Sequence, residues 1–350
     1  FMCMRFFFPV TQWLHLYQVY RATGDERCRA ALLGSARHYN KLSQDYPLAV
    51  QHKANDPEGL TYMYTMSAWS RITLQLARKG KASEEEIAEA EKFLETIIMV
   101  LKPVCEGDAD LDPEMGIPKK LAEDFRIRPF NRSLNGIGVL AMTSAALKDL
   151  QTIKETDAYQ TSIDRYRKCV KEYFKNWKSV GCLYTEEDGK TYFYYPYVFS
   201  QKLKRKQGVL LAGDDQGHYS HSMQGVMLVY ESTPELGADD DFMTAIANAI
   251  YHNSYTKYGS IQCPTADKIK PNSRHPFNAP RERFYMFEAW RDGLIDGQCS
   301  KLSAEQKKAA LSNRKHRPKV LHAMYMKALR KDRDLIYLGE KSSNRIAARR

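Results

Sequence analysis

A mainly α-helical protein is predicted for this 350-residue chain, and three observations predict it. Apolar residues recur at helical spacing, near 3.6, in segment after segment. The connecting pieces carry helix stop and start residues. The helices also come in pairs, each pair covering roughly 50 to 70 residues. Pairs of irregular length suit a ring of helical hairpins, an incomplete or complete α/α toroid, better than a four-helix bundle. An α-solenoid also accommodates helix pairs, but it implies more regular repeats and no tyrosine-rich insertion. In a ring, inner helices carry small residues and outer helices carry charge. The stretches GLTYMYTMSAWS (59–70) and NGIGVLAMTSAAL (135–147) are low in charge, whereas EEEIAEAEKFLETI (84–97) and SIDRYRKCVKEYFKNW (162–177) are heavily charged.

In chain order, the first hairpin runs from about Thr11 to Ala22 and from Glu26 to about Tyr46. The breaker TGDE separates its two helices, with Asp25 placed to cap the second. The second hairpin covers about Glu58 to Lys79 and Ser83 to Leu101, where Ser83 and Glu86 have capping-box spacing. The third covers about Asn131 to Leu150 and Asp157 to Trp177. Next comes KTYFYYPYVF, a strand-like segment bounded by DGK and the basic loop QKLKRKQ, in an insertion at about 183–200. Two more helices are expected over His218 to Tyr230 and Asp240 to Tyr255. A loop with Pro264, Pro271, Pro276 and Pro280 then leads to a helix over Arg281 to Asp292. Helices over Ser303 to Asn313 and Pro318 to Arg330 complete one catalytic domain, residues 1–335, and 336–350 reads as a basic, solvated tail.

Lys and Arg number 53 against 42 Asp and Glu, a net charge of +11 that favours a polyanionic partner. Nucleic acid, anionic lipid and acidic polysaccharide all fit that balance. No zinc finger or RNP pattern is present and basic residues are interspersed with acids, so nucleic acid is not expected. Seven scattered cysteines give no zinc-ligand spacing, and their odd number argues against a complete disulfide framework. No stretch approaches the roughly 20 apolar residues of a bilayer span. The short apolar opening FMCMRFFFPV begins with Phe, which suggests a trimmed N-terminus and an export signal already removed, hence a secreted or periplasmic protein. GxGxxG, P-loop and GxSxG patterns are missing, so no cofactor is expected. Asp214, Asp215, His218 and His221 at one helix start do not specify a metal ion.

Loops leading into the inner helices of a ring converge on one mouth, so polar residues there should meet. Three stretches stand out. RPFNRSLNGIG (128–138) offers Asn131, Arg132 and Asn135, with the two asparagines one turn apart, although Asn131 or Ser133 could equally cap the helix. GDDQGHYSHSMQGVMLVYE (213–231) offers Asp215, His218 and His221, the histidines sharing a face, although they could be ordinary surface residues. RHPFNAPRERFYMFEAW (274–290) offers Arg281, Arg283 and Tyr285, or else a solvated basic helix start with Tyr285 in the core.

Asn, His, Tyr and Arg together are what β-elimination of a polyuronate requires. The proton α to a carboxylate is very weakly acidic, so amide and guanidinium groups must stabilise the developing enolate. Asn131, Asn135 and an Arg fill that role. His218 or His221 assists proton removal, and Tyr285 serves as acid or base, its pKa lowered by Arg281 or Arg283. Arg132, Arg281, Arg283, Tyr194 and Asp215 are placed in substrate binding. One side of the tyrosine-rich strand is expected to stack on sugar rings, unless the segment packs against the rim instead.

These features resemble the α/α-toroid polysaccharide lyases that act on alginate, glucuronan, hyaluronan or chondroitin. In the hyaluronan and chondroitin lyases an inner-helix segment reads approximately DGSFxxH and is followed by a Tyr; here Asp215, His221 and Tyr230 keep that spacing. The intervening glycine and aromatic fall elsewhere, and two and a half turns separate His221 from Tyr230, which puts that tyrosine on the opposite face. The resemblance implies His221 as base or substrate contact, with Asn131 and Asn135 carried over by role. Tyr285 rests on the residue argument alone. Two rivals use other residues: a glycoside hydrolase of the same ring with Asp214, Asp215 and Glu58 as carboxylates, and a non-catalytic module binding acidic glycans or nucleic acid.

Overall fold

The computed structural model describes residues 7–54, 59–105, 112, 119, 122–123, 126, 129–185, 189–196, 205–206, 209–210, 214–255, 260–261, 282–295, 317–338 and 340. They are mainly helical. Helix α1 (Phe7–Thr23) turns into α2 (Glu26–Asp45) at Gly24, whose φ of +67° is the left-handed value a non-glycine residue adopts with strain. The Asp25 carboxylate accepts from the Arg27 N–H at 3.0 Å, the predicted cap. After α3 (Pro47–Ala54), a 3-10 turn (Gly59–Met63) leads into α4 (Tyr64–Ala77). Helix α5 (Glu84–Cys105) opens on the predicted capping box: the Glu86 N–H donates to Ser83 Oγ at 3.2 Å and the Ser83 N–H to Glu86 Oε2 at 3.0 Å.

Helix α6 (Phe130–Lys154) is buried on nearly every side from Phe130 to Leu150, and from Gly136 to Leu147 its sequence is apolar or small all round. Helix α7 (Gln160–Val180) is amphipathic: Ile163, Tyr166, Val170, Tyr173, Phe174 and Trp177 turn inward while its charges face out. Helices α8 (Gln216–Ser232), α9 (Asp240–Tyr255) and α10 (Arg317–Leu329) follow the predicted spans closely. The segment expected as a helix over Arg281 to Asp292 is instead a 3-10 run over Glu282–Ala289. The helix expected over Ser303 to Asn313 lies outside the described residues.

The insertion contains an antiparallel hairpin, β1 (Cys182–Thr185) with β2 (Thr191–Tyr194), pairing Cys182 with Tyr194 and Thr185 with Thr191. Two shorter pairs join β3 (Arg205–Lys206) to β4 (Val209–Leu210) and β5 (Asp214–Asp215) to β6 (Ser260–Ile261). The expectation that one side of the tyrosine-rich strand meets ligand is corrected here. Tyr192, Phe193, Tyr194 and Tyr195 are all 5% exposed or less, on both faces of the strand. The reason is an aromatic cluster centred on Trp177, which meets Phe193 at 5.1 Å, Tyr195 at 5.0 Å and Phe242 at 5.6 Å between ring centroids.

Side-chain pairs fix helix directions. Ser67 and Thr143 hydroxyls meet at 2.7 Å and Arg71 pairs with Asp149, so α4 and α6 run the same way. At one end of the molecule the later turns of α1, α4 and α8 gather around Arg21, which donates to Gln75 Oε1 at 2.7 Å, and Tyr17, which donates to Glu231 Oε2 at 2.9 Å. His322 of α10 lies 3.3 Å from Glu231 Oε1. The chain end then crosses this cluster: Arg21 donates to the Ile336 carbonyl at 3.1 Å, and the Leu338 N–H to the Arg21 carbonyl at 2.9 Å. Glu340 is buried between Lys79 and Lys81, at 3.0 and 3.1 Å. The predicted boundary at 335 is therefore too early, and the packed body reaches Glu340. The basic composition of the last residues hid the apolar run Leu335 to Leu338, while 341–350 lies outside the described residues.

Candidate active site

Two glycines set the geometry. A Cβ on Gly225 of α8 would lie 2.1 Å from the Leu134 carbonyl oxygen and 2.7 Å from the Asn135 nitrogen of α6. One on Gly138 would lie 2.9 Å from the Gly225 carbonyl oxygen and 3.0 Å from Leu228 Cβ. The two backbones touch, which only residues without a side chain permit. Later residues of one helix meet later residues of the other, so α6 and α8 are parallel. One turn before this contact stand Asn131 on α6 and His221 on α8, each toward the N-terminal end of its helix.

A chain of aromatic rings ties the remaining stretches to the same place. Phe130 meets Tyr195 edge to face at 5.6 Å, Tyr195 stacks on Tyr219 at 5.1 Å, and Tyr219 meets Phe284 at 6.0 Å. Phe130 precedes Asn131, Tyr219 falls between His218 and His221, and Phe284 precedes Tyr285. Three stretches far apart in sequence, together with the end of the tyrosine-rich strand, thus converge at one end of the α6–α8 pair.

The individual side chains differ in what they offer. Asn131 is 1% exposed, and its Oδ1 is buried with no hydrogen-bond partner. It does not cap α6, because Pro129 holds the N-cap position and Asn131 lies inside the first turn. Its neighbour Asn135 is half-buried and folds back, donating from Nδ2 to the Asn131 carbonyl at 2.6 Å. His221 and Arg132 are half-buried, and Tyr285 is buried at 7% exposure. Tyr194, expected to hold the polymer, is 1% exposed and belongs to the packed hairpin, so that assignment is corrected. The side chains of Asp215, His218 and Arg283 and the whole of Arg281 lie outside the described residues. The backbone of Asp215 pairs with Ser260 and leads directly into α8.

Tyr230 sits at the far end of α8, as the turn count requires. Its hydroxyl donates to Asp240 Oδ1 at 3.1 Å, and burial, set against nearby Arg333, pushes its pKa up to about 12, unsuited to a base near neutrality. Sequence reasoning missed Gln224, which is 8% exposed with a buried, unpartnered Oε1. It stands three residues after His221 on the same helix face. The signal available in the sequence was its place beside Gly225. Among the described residues, no group of three or more His, Cys, Asp or Glu side chains could hold a metal ion, and no helix is long and apolar enough to cross a membrane.

The first turn of α6 adds a field to this geometry. Helix N-termini favour anions through their free N–H groups and dipole, and here the first turn has no acidic residue and contains Arg132. A carboxylate is the anion that a helix N-terminus carrying an amide and an arginine in its first turn is suited to hold. No protein family, curated protein or solved structure matches this chain.

Proposed function

We propose that the chain is a polyuronate lyase built on an α/α-toroid frame, cleaving a uronic-acid polymer by β-elimination. The observation that carries the reading is the ring-to-ring path Phe130, Tyr195, Tyr219, Phe284, which gathers Asn131, His221 and Tyr285 at one end of two parallel inner helices. The toroid is supported by the shared direction of α4, α6 and α8 and by the contact of the first helix with the last, α1 against α10.

In this mechanism the uronate carboxylate lies at the α6 N-terminus, held by the Asn131 amide and Arg132. Because no hydrogen bond holds the Asn131 oxygen, the amide is able to turn its donors toward that anion. His221, with His218 as the alternative base, takes the proton from the carbon next to the carboxylate, and the C–H electron pair becomes the new C=C bond. The C–O bond to the neighbouring sugar breaks, and Tyr285 delivers a proton to the departing oxygen. Asn135 supports the site through its bond to the Asn131 carbonyl. Arg281 and Arg283 complete the polymer's contacts.

The test is a screen of alginate, glucuronan, pectate and glycosaminoglycans for an unsaturated product absorbing near the ultraviolet edge. Wild-type protein is expected to release it from at least one polymer, and Tyr285→Phe to lower kcat by about 10² to 10⁴. Reducing ends without the absorbance, lost in Asp215→Asn and retained in Tyr285→Phe, would replace the lyase with a glycoside hydrolase of the same frame.

A further inference from the structure

We propose that Gln224 is a specificity-determining residue of this site, reading a ring hydroxyl of the sugar through its amide oxygen; the inference rests on the lyase reading for the location of the sugar. Four observations combine. Gln224 is more than nine-tenths buried, and its Oε1 takes no hydrogen bond from the protein. An acceptor in that position costs about 1–3 kcal/mol unless something donates to it. Gln224 shares its helix face with His221 and precedes Gly225, whose backbone is held against Leu134 and Asn135. Across that contact, one turn toward the N-termini, lies the second orphaned amide oxygen, that of Asn131.

The two amides are distinguished by their surroundings. Asn131 stands in the first turn of α6, where the helix field and Arg132 favour an anion. Gln224 stands in the third turn of α8, away from any helix N-terminus, and its unmet atom is an acceptor. A carboxylate has nothing to donate to that atom. A hydroxyl does, and every uronate ring carries hydroxyls beside its carboxylate. A sugar unit seated over the N-terminal end of the α6–α8 pair therefore presents its carboxylate to Asn131 and a hydroxyl to Gln224. Blocking that hydroxyl by an ether or ester removes the donor and adds bulk beside a buried side chain, so the site discriminates against polymers substituted there.

The experiment uses the full chain and methyl glucuronoside, which has no polymer linkage to cleave, with its 2-O-methyl and 3-O-methyl derivatives as the paired probes, binding being measured by ligand-observed NMR titration. In the wild type, one methyl ether is expected to bind about tenfold more weakly than the parent glycoside, or worse. Gln224→Met, close to Gln in volume, is expected to bind the parent as weakly as the wild type binds that ether and to treat parent and ether alike, with circular dichroism and Tm confirming the fold. Equal wild-type binding of the parent and both ethers, absence of binding of the parent, or undiminished binding and discrimination by Gln224→Met would each overturn the proposal. The wild-type comparison decides even where the variant fails to fold. Loss of discrimination in Gln224→Met with no unsaturated product from any polyuronate would sink the lyase reading and leave the Gln224 assignment standing. Product formation with undiminished discrimination in Gln224→Met would do the reverse.

Discussion

Asn131 and Glu231 illustrate two fates of a buried polar residue. Asn131 keeps an amide oxygen unmet at the mouth of the helix pair, whereas Glu231 is met on both oxygens, by Tyr17 at 2.9 Å and His322 at 3.3 Å. Removing the first should cost function and spare the fold: Asn131→Ala is expected to lower kcat by about 10² to 10³ while leaving Tm within a few degrees, read by the product assay and by calorimetry. Removing the second should cost the fold. Glu231→Ala leaves Arg21 and His322 without their carboxylate in the interior, and a loss of about 3–5 kcal/mol is expected from denaturant titration. Burial pushes the Glu231 carboxyl up, but His322, Arg21 and the Tyr17 hydroxyl together outweigh it and hold the pKa below the ordinary carboxylate value. Its contribution is then complete above the unfolded-state pKa of about 4.3 and is lost as pH falls below that value. Tm of the wild type should drop on acidification through that range, and Glu231→Gln should flatten the drop. Asn131 was legible as a candidate because its amide stands at the predicted start of a helix in RPFNRSLNGIG; Glu231 was not, because its partners Tyr17 and His322 come from the two ends of the chain.

Among the elements, the α6–α8 pair carries the proposed site, and its closeness depends on glycine. Gly225→Ala would drive a methyl group into the Leu134 carbonyl at 2.1 Å, so the helices must part. A loss of about 3 kcal/mol or more is expected, at the upper end for overpacking because the obstacle is backbone, together with a fall in turnover as Asn131 and His221 separate. Gly34→Ala, at a glycine with open space around its Cβ, is the control and should be neutral or slightly stabilising in its helix. The glycines were visible in NGIG and QGV, but a sequence does not say which helix a glycine faces. Caps were read correctly because they are local: Ser83 and Glu86 are three residues apart and bond to each other's backbone. Ser83→Ala should therefore cost about 1 kcal/mol in a denaturant titration, without affecting the distant site.

Over the whole molecule, the chain end serves as a strap across the first helix. Ile336 is buried, Tyr337 lies against Gly24, and Glu340 bridges to Lys79 and Lys81. Ending the chain at Leu335 removes these contacts, and the expected outcome is a clearly lower Tm and early proteolysis of α1, whereas ending it at Glu340 should leave both near wild type. The net charge of +11 acts on the same scale. Association with a polyuronate should weaken as salt rises, since the Debye length shrinks to about 8 Å at physiological ionic strength. A KM that ignored salt would separate the charge balance from substrate capture.

The sequence by itself determined most of the helices, the Asp25 and Ser83 caps, and the contrast between the low-charge α6 and the amphipathic α7, because periodicity, capping and charge segregation act over a few neighbouring residues. It misjudged Tyr194, because alternation along a strand reports two faces without saying that Trp177 and Phe242 cover the hairpin. It placed the end of the body five residues early, because local composition outweighed a contact with a helix some 300 residues away. Only the tertiary structure decided that α6 and α8 are parallel and touch at Gly138 and Gly225, that Phe130, Tyr219 and Phe284 draw the stretches together, and that Gln224 holds an unmet acceptor among them. Such facts depend on which surfaces meet, and burial, unlike helical periodicity, is a property of pairs of segments.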